Sequence, residues 1–359
     1  MRRLRVTLTV GIAVLAPVVL AQSAGPYKVL KTAKVGGEGG TDYIYADTAG
    51  RRLYITRGAA PAREATATTP AVPAAEKRLT IFDLDTLEPA GVIPGVGGNG
   101  AAVCPNTGHG FTSDHPQPSM FDVKTQKLIK TIEVPERFSA DGIYCDTSSD
   151  RVYIGSHPTK SLLVVDAKDG SVLGHIDLGG TPEQTIGDGK GTIYQVLQER
   201  PGAVAVIDAK NSILFAACSV MGPAGTPVDP DHPSQRFVIM SAKDGKILQR
   251  LPLAGSSDGA AFNPQTMEAF STQGNGTMTI VKEKSPTGFE VEQDLKTWPG
   301  NGARTIAFDN KTGRLFAMAT ELGPPPPAPP AGTPPPAGGR GAGRGAAIPG
   351  SFTIIMVGK

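Results

Sequence analysis

The sequence predicts an all-β fold, a seven-bladed β-propeller, and three observations carry that prediction. A turn followed by a strand with an aromatic occurs seven times along the chain, the aromatic standing seven residues after the turn residue in six units and six after it in the fourth. Several of these units are spaced in the low forties of residues, room for four short strands each. The composition suits strands and tight turns: 45 Gly and 32 Pro stand in 359 residues, and no stretch reads as a long amphipathic helix.

The seven units are Asp47-TAGRRL-Tyr54, Cys104-PNTGHG-Phe111, Asp146-TSSDRV-Tyr153, Asp188-GKGTI-Tyr194, Asp208-AKNSIL-Phe215, Asn263-PQTMEA-Phe270 and Asp309-NKTGRL-Phe316. Asp and Asn suit the first position because their side chains hydrogen-bond the backbone two residues on. Further hairpins complete the units, as in Leu162-LVVDAKDG-Ser171 followed by Val172-LGHIDLGG, with Asp-Gly at the turn. Each unit therefore reads as strands A, B, C and D.

The aromatics are spaced 57, 42, 41, 21, 55 and 46 residues apart. The value of 21, between Tyr194 and Phe215, is half a blade. Val204-AVIDAKN matches a C strand such as Val164-VDAKD, so the expectation is loss of one D and one A strand between blades 4 and 5. Those blades then share a strand, or one of them is incomplete. At the ends, Phe352-TIIMVGK looks like a C strand with no D strand after it, and Tyr27-KVLKTAKVGG looks like a D strand. Pairing them closes the ring and removes the open edges.

Residues 1–21 read as a signal peptide: Arg2, Arg3 and Arg5, then apolar Val6 to Leu20, then small-residue cleavage after Ala21. The apolar stretch is short and broken by Pro17, which argues against a transmembrane span. Residues 22–359 form a single propeller domain, expected to be a monomer in the periplasm or outside the cell. Losing three arginines takes the formal charge from +2 to −1, which gives no bulk electrostatic case for nucleic acid. Of Cys104, Cys145 and Cys218, an odd count, the plain reading is small buried hydrophobes; a Cys104–Cys145 bridge between adjacent blades is left open.

Three inserts, 59–77, 221–235 and 323–350, all fall between a B and a C strand. In a propeller the B–C and D–A loops share one face, so that face is the expected working surface. The 323–350 insert is Pro/Gly-rich and reads as a flexible loop.

Counting five residues back from each turn residue gives the start of each innermost strand: Asp42, Asn99, Asp141, Glu183, Ala203, Asp258 and Arg304. Six of the seven are polar or charged, and they should ring the channel mouth on the loop-rich face. Carboxylates there suit a hard cation such as Ca²⁺, with Asp42, Asp141, Glu183 and Asp258 as ligands. Arg304 suits the anionic group of a small ligand. Asp141-Gly142 and Asp258-Gly259 also read as ordinary turn chemistry. His115, His157 and His232 each precede Pro in a B–C loop. His115 and His157 both stand four residues after their aromatic, and imidazoles on one face suit ligand or base roles. Equivalent positions on neighbouring blades diverge outward, which makes a shared metal awkward.

Arg52-LYIT, Arg151-VYIGS and the run VVDAKDGSVLGHIDLGG resemble the YVTN-repeat propellers of the YncE-like group of exported bacterial proteins. The resemblance covers nearly all of the mature chain. It implies the propeller fold and says little about activity, since such propellers include binders, surface-layer proteins and relatives of enzymes. The sequence lacks CxxCH, GxSxG and P-loop motifs, and its single Trp, Trp298, argues against quinoprotein propellers. The first functional reading is a non-catalytic exported scaffold that binds a small ligand or protein on the loop-rich face. The alternatives are a metal-dependent hydrolase of lactonase type, by fold analogy and the carboxylate ring, and a surface-layer module. No cofactor is expected beyond a divalent cation.

Overall fold

The computed structural model describes residues 24–65, 71–135, 137–198, 203–218, 235–324 and 345–359. The expected signal peptide (residues 1–21), His232 and most of the Pro/Gly-rich insert lie outside these residues. Strand β1 (Lys28–Lys34) opens the described chain. Blade 1 follows as β2 (Ile44–Asp47), β3 (Arg52–Arg57), β4 (Arg78–Asp83) and β5 (Pro89–Pro94). Blade 2 is β6 (Ala101–Cys104), β7 (His109–Thr112), β8 (Ser119–Asp122) and β9 (Lys127–Thr131). Blade 3 is β10 (Ala140–Asp146), β11 (Arg151–Ser156), β12 (Ser161–Asp166) and β13 (Val172–Asp177). Among the described residues, blade 4 holds β14 (Pro182–Gly187) and β15 (Ile193–Leu197) alone. Blade 5 is β16 (Ala203–Asp208), β17 (Ile213–Cys218), β18 (Arg236–Ser241) and β19 (Ile247–Pro252). Blade 6 is β20 (Ser257–Asn263), β21 (Glu268–Gln273), β22 (Thr277–Ser285) and β23 (Gly288–Lys296). Blade 7 combines β24 (Ala303–Asp309), β25 (Arg314–Ala319) and β26 (Thr353–Gly358) with β1.

Every strand pair is antiparallel, and the first strand of each blade packs against the first strands of both neighbours. The ring β2–β6–β10–β14–β16–β20–β24 thus closes on itself around one axis. The expected end-to-end closure is present: β1 pairs with β26 from Lys28↔Gly358 to Lys34↔Thr353. Tyr27 anchors the join on blade 6. Its ring meets Phe270 edge-on at 5.3 Å, its hydroxyl donates to Glu268, and its backbone exchanges two 2.9 Å hydrogen bonds with the Gln293 side chain.

The repeat aromatics explain themselves in the core. Tyr54, Phe111, Phe215, Phe270 and Phe316 are at most 1% exposed, each filling the space between its blade and a neighbour. Burying each such ring contributes a few kcal/mol at about 25 cal/mol per Å². The recurrent turn residue has an equally local cause. Asp47 Oδ1 accepts from Gly50 N at 2.9 Å, Asp188 Oδ1 from Lys190 N at 2.8 Å, and Asn263 Oδ1 from Gln265 N at 3.0 Å. Where Cys104 takes that place, it is bonded to Cys145 across blades 2 and 3, with the Cα atoms 5.7 Å apart. Cys218 alone is the buried thiol the plain reading expected, and burial pushes its pKa up to about 11.

Of the two outcomes expected for the half-length spacing, the incomplete blade is present, but the strands lost are not the D and A strands expected. Val204-AVIDAKN is the A strand of blade 5, not a C strand: β16 pairs with β17 along its whole length, Ala203↔Cys218 to Asp208↔Ile213. The missing pair is therefore C and D of blade 4. Alternating apolar residues ending in Asp before a tight turn fit either strand, and only the pairing partner decides. Tyr194, on the thin blade, is half-buried, unlike most of its counterparts.

Candidate functional site at the channel mouth

On the loop-rich face, a cavity of about 160 Å³ opens on the axis, lined by Asp42, Asp141, His157, Glu183, Gln198, Asp258 and Arg304. Five of the positions counted back from the turns thus meet around one opening, although they lie far apart in the chain. Asn99 does not line it but braces it, donating from Nδ2 to Asp141 Oδ1 at 2.8 Å. Ala203 begins β16, as the count placed it.

The inner strands aim these side chains through local irregularities. The pairing register shifts between Ala140 and Ile143, Pro182 and Thr185, Ser257 and Gly259, and Arg304 and Ala307. Each shift brackets or adjoins one site residue: Asp141, Glu183, Asp258 or Arg304. Bulges of this kind re-aim side chains at the ends of sheets. Asp141-Gly142 and Asp258-Gly259 are therefore strand segments, not the turns their composition also allowed. The glycines serve close approach: a Cβ on Gly259 would stand 2.8 Å from Ile306 N, and one on Gly142 would overlap Glu183 O.

The two buried carboxylates are well partnered. Asp141, 4% exposed, also accepts from His157 Nε2 at 2.9 Å. Glu183, equally buried, accepts from the Tyr43 hydroxyl at 3.3 Å and from Gln198 Nε2. One ligand atom from each of Asp141, His157 and Glu183 lies within 4.8 Å of the other two, which is metal-ligand spacing. Asp258 Oδ2 accepts from Thr305 N at 3.1 Å. Thr305 is itself a β-branched residue at φ 45°, a costly conformation that the close packing of blades 6 and 7 enforces.

Asp42 and Arg304 differ from these. Among the described residues, neither side chain has a hydrogen-bonded or salt-bridged partner. Burial first, then the nearby Asp258, Asp141 and Glu183 charges, push the Asp42 carboxyl up to about 7, while Arg304 pulls it down. The His157 imidazolium is favoured, first by its hydrogen bond to Asp141, so its pKa is raised. The mouth therefore crowds four carboxylates against one guanidinium and one imidazole. Asp141, His157 and Glu183 offer donors that could hold a cation.

His115 takes no part. It is exposed, with Nδ1 3.4 Å from Ser139 Oγ. The difference from His157 is strand length: β11 runs to Ser156, directly before His157, whereas β7 stops at Thr112. Sequence reasoning missed Gln198 and Tyr43. Gln198 had a signal, since it stands four residues after Tyr194, as His115 and His157 stand after their own aromatics.

No known family matches the chain, and no curated protein matches its sequence. Solved structures do share its shape. A chain of the mitotic checkpoint complex superposes with TM-score 0.61 at 11% identity, covering 89% of this chain and 96% of that one. U3-55K gives 0.62 at 10%, covering 92% and 98%. A putative 6-phosphogluconolactonase from Bacteroides uniformis gives 0.52 at 12%, covering 71% and 84%. The WD40 repeats of RRP9, at TM-score 0.59 and 10% identity, cover all of that chain. At such identities the likeness concerns fold alone: the chain has the β-propeller fold.

Proposed function

We propose that this protein is an exported, non-catalytic binding propeller whose channel mouth holds a divalent cation and whose loop-rich face receives a small ligand. The observation that carries this reading is the convergence of Asp141, His157 and Glu183 within 4.8 Å on the wall of a cavity that also holds Asp42 and Asp258. A cation there relieves the repulsion among the carboxylates and gives Asp42 the partner it lacks. An imidazole among the donors favours a borderline ion such as Zn²⁺ or Mn²⁺ over Ca²⁺, whose sites use oxygen. Export is supported by the N-terminal signal pattern and by the Cys104–Cys145 bridge, which suits an oxidising compartment. The motifs quoted above support a place among YVTN-repeat propellers.

The test is the metal content of the purified mature protein, followed by calorimetric titration of the chelated form with Zn²⁺, Mn²⁺ and Ca²⁺. One bound ion per chain, lost in Glu183→Gln, is the expected result. A second reading, hydrolysis at the same metal, is favoured by the half-exposed His157 beside the cluster. Chelator-sensitive lactone turnover would select it over plain binding. No ion bound under any condition overturns both.

A further inference from the structure

Beside the channel mouth lies a larger cleft of about 500 Å³ between blades 7 and 1. That volume fits a small organic molecule. Its walls are apolar where Met318, Leu322, Ile348 and Phe352 contribute, and cationic where Arg57, Arg63 and Arg304 do. One carboxylate, Glu38, lines it, and that one is already engaged by Arg63 and by Gly350 N.

Arg57 is the decisive residue. It ends β3 and is 4% exposed, yet it forms no ion pair among the described residues. Its Nη2 donates to Gly37 O at 2.7 Å and its guanidinium lies 4.0 Å over the Phe352 ring, but the buried Nε donates to nothing. Burial first, and then the Arg78 charge, push its pKa down to about 10. The Glu38 carboxylate raises that pKa only partly, and no carboxylate among the described residues is ion-paired with Arg57, so the lost hydration of this buried guanidinium is incompletely compensated. Arg304 is only partly buried and its charge acts on Asp42. It lines both the cleft and the axial cavity and has no hydrogen-bonded or salt-bridged partner among the described residues.

We propose that the cleft between blades 7 and 1 binds a small organic carboxylate, its anionic end held by Arg57 and its apolar body laid against Met318, Leu322, Ile348 and Phe352. Arg304, at the inner end, supplies a second positive charge. A carboxylate matches the planar guanidinium in shape, and the partly buried setting strengthens the pair. The apolar wall asks for a hydrocarbon body rather than a bare ion. The cleft does not depend on the cation at the channel mouth, so the test is run with chelator present.

Calorimetric titration with straight-chain carboxylates from butanoate to octanoate, against alkanols and alkylammonium ions of the same lengths and against inorganic phosphate, decides the matter. The proposal expects one site per chain, affinity that rises with chain length, and clear preference for the carboxylate. Arg57→Met should weaken binding by about 10-fold or more, the usual worth of a charged hydrogen bond. It should also leave the melting temperature unchanged or higher, because an uncompensated buried charge has been removed. Arg304→Gln should weaken binding less. Equal binding of alcohol, ammonium or phosphate overturns the proposal, as does full affinity in Arg57→Met. A marked loss of stability in that variant also overturns it, by assigning Arg57 to the fold.

Discussion

Two regions of this propeller treat charge differently: the seam of blades 7 and 1 on the tight-turn face, and the channel mouth with its neighbouring cleft on the loop face. On the tight-turn face, Arg51 reaches Asp309 at 2.7 Å and holds Asp85 with two bonds, at 2.6 and 3.1 Å, tying blade 1 to blade 7. The turn aspartates there cap backbone N–H groups, and Lys359 pairs with Glu268 at 2.9 Å beside Tyr27. On the loop face, Asp42, Arg57 and Arg304 stand without hydrogen-bonded or salt-bridged carboxylate or cation partners among the described residues. Both faces belong to the same strands, with the same repeat, so fold requirements alone do not explain the difference. At the seam, partnered charges hold the ring together; at the channel mouth and the cleft, charges without ion-pair partners line cavities in which another molecule is expected to supply the missing half.

That contrast can be broken from either side. The largest effect belongs to the turn face. Arg51→Met leaves Asp309, whose side chain is fully buried, without its counter-ion, and should cost about 3–5 kcal/mol in chemical denaturation. If it costs nothing, the turn face is not the structural one. Next comes the disulfide linking the inner strands of blades 2 and 3 across a sequence separation of 41. A Cys104→Ala, Cys145→Ala double variant should lose about 2–4 kcal/mol through the freed unfolded chain, with cation binding at the other face retained. The smallest effect has the opposite sign. Asp42 has a folded pKa raised to about 7 from the usual 3.8, so the metal-free protein loses stability as pH rises across that window. Asp42→Asn should abolish that loss and gain on the order of 1 kcal/mol at pH 8. Asp309 titrates the other way. Burial raises its pKa, but hydrogen bonds from Thr312 and Arg51 prevail and hold it below the ordinary carboxylate range. Its contribution is present above the unfolded carboxylate pKa and disappears as pH falls through the folded value. Melting curves across pH for Asp42→Asn and Asp309→Asn, each against the wild-type chain, therefore separate the two regions by the sign of the slope each variant removes.

Much of this was legible in the sequence because a propeller repeats. Seven turn residues and seven aromatics locate the strands, and a fixed offset from the turns placed Asp42, Asp141, Glu183, Asp258 and Arg304 at one opening. What escaped depends on contacts between blades. Asn99 reads as a ring member but acts by orienting Asp141 of the next blade. His115 and His157 look equivalent, and only the length of β7 against β11 separates them. Arg57 ends an ordinary B strand, and nothing in Arg52-LYITR shows that its guanidinium will be buried against Phe352, nearly three hundred residues away. The register shifts that aim the acids are likewise invisible in a pattern that alternates regularly.

The site also straddles unequal supports. Asp141 and His157 come from blade 3, with four strands, whereas Glu183 and Gln198 come from blade 4, with two; β15 is half-buried along its length. A bound ion would tie the thin blade to the full one, and protein without it should open first at β14 and β15. Hydrogen exchange of the amides in those two strands, with and without saturating Zn²⁺ or Mn²⁺, is the most direct test of the account. Strong protection on adding the ion, confined largely to blades 3 and 4 and absent in Glu183→Gln, is expected. Exchange that ignores the ion in the wild-type chain would contradict it.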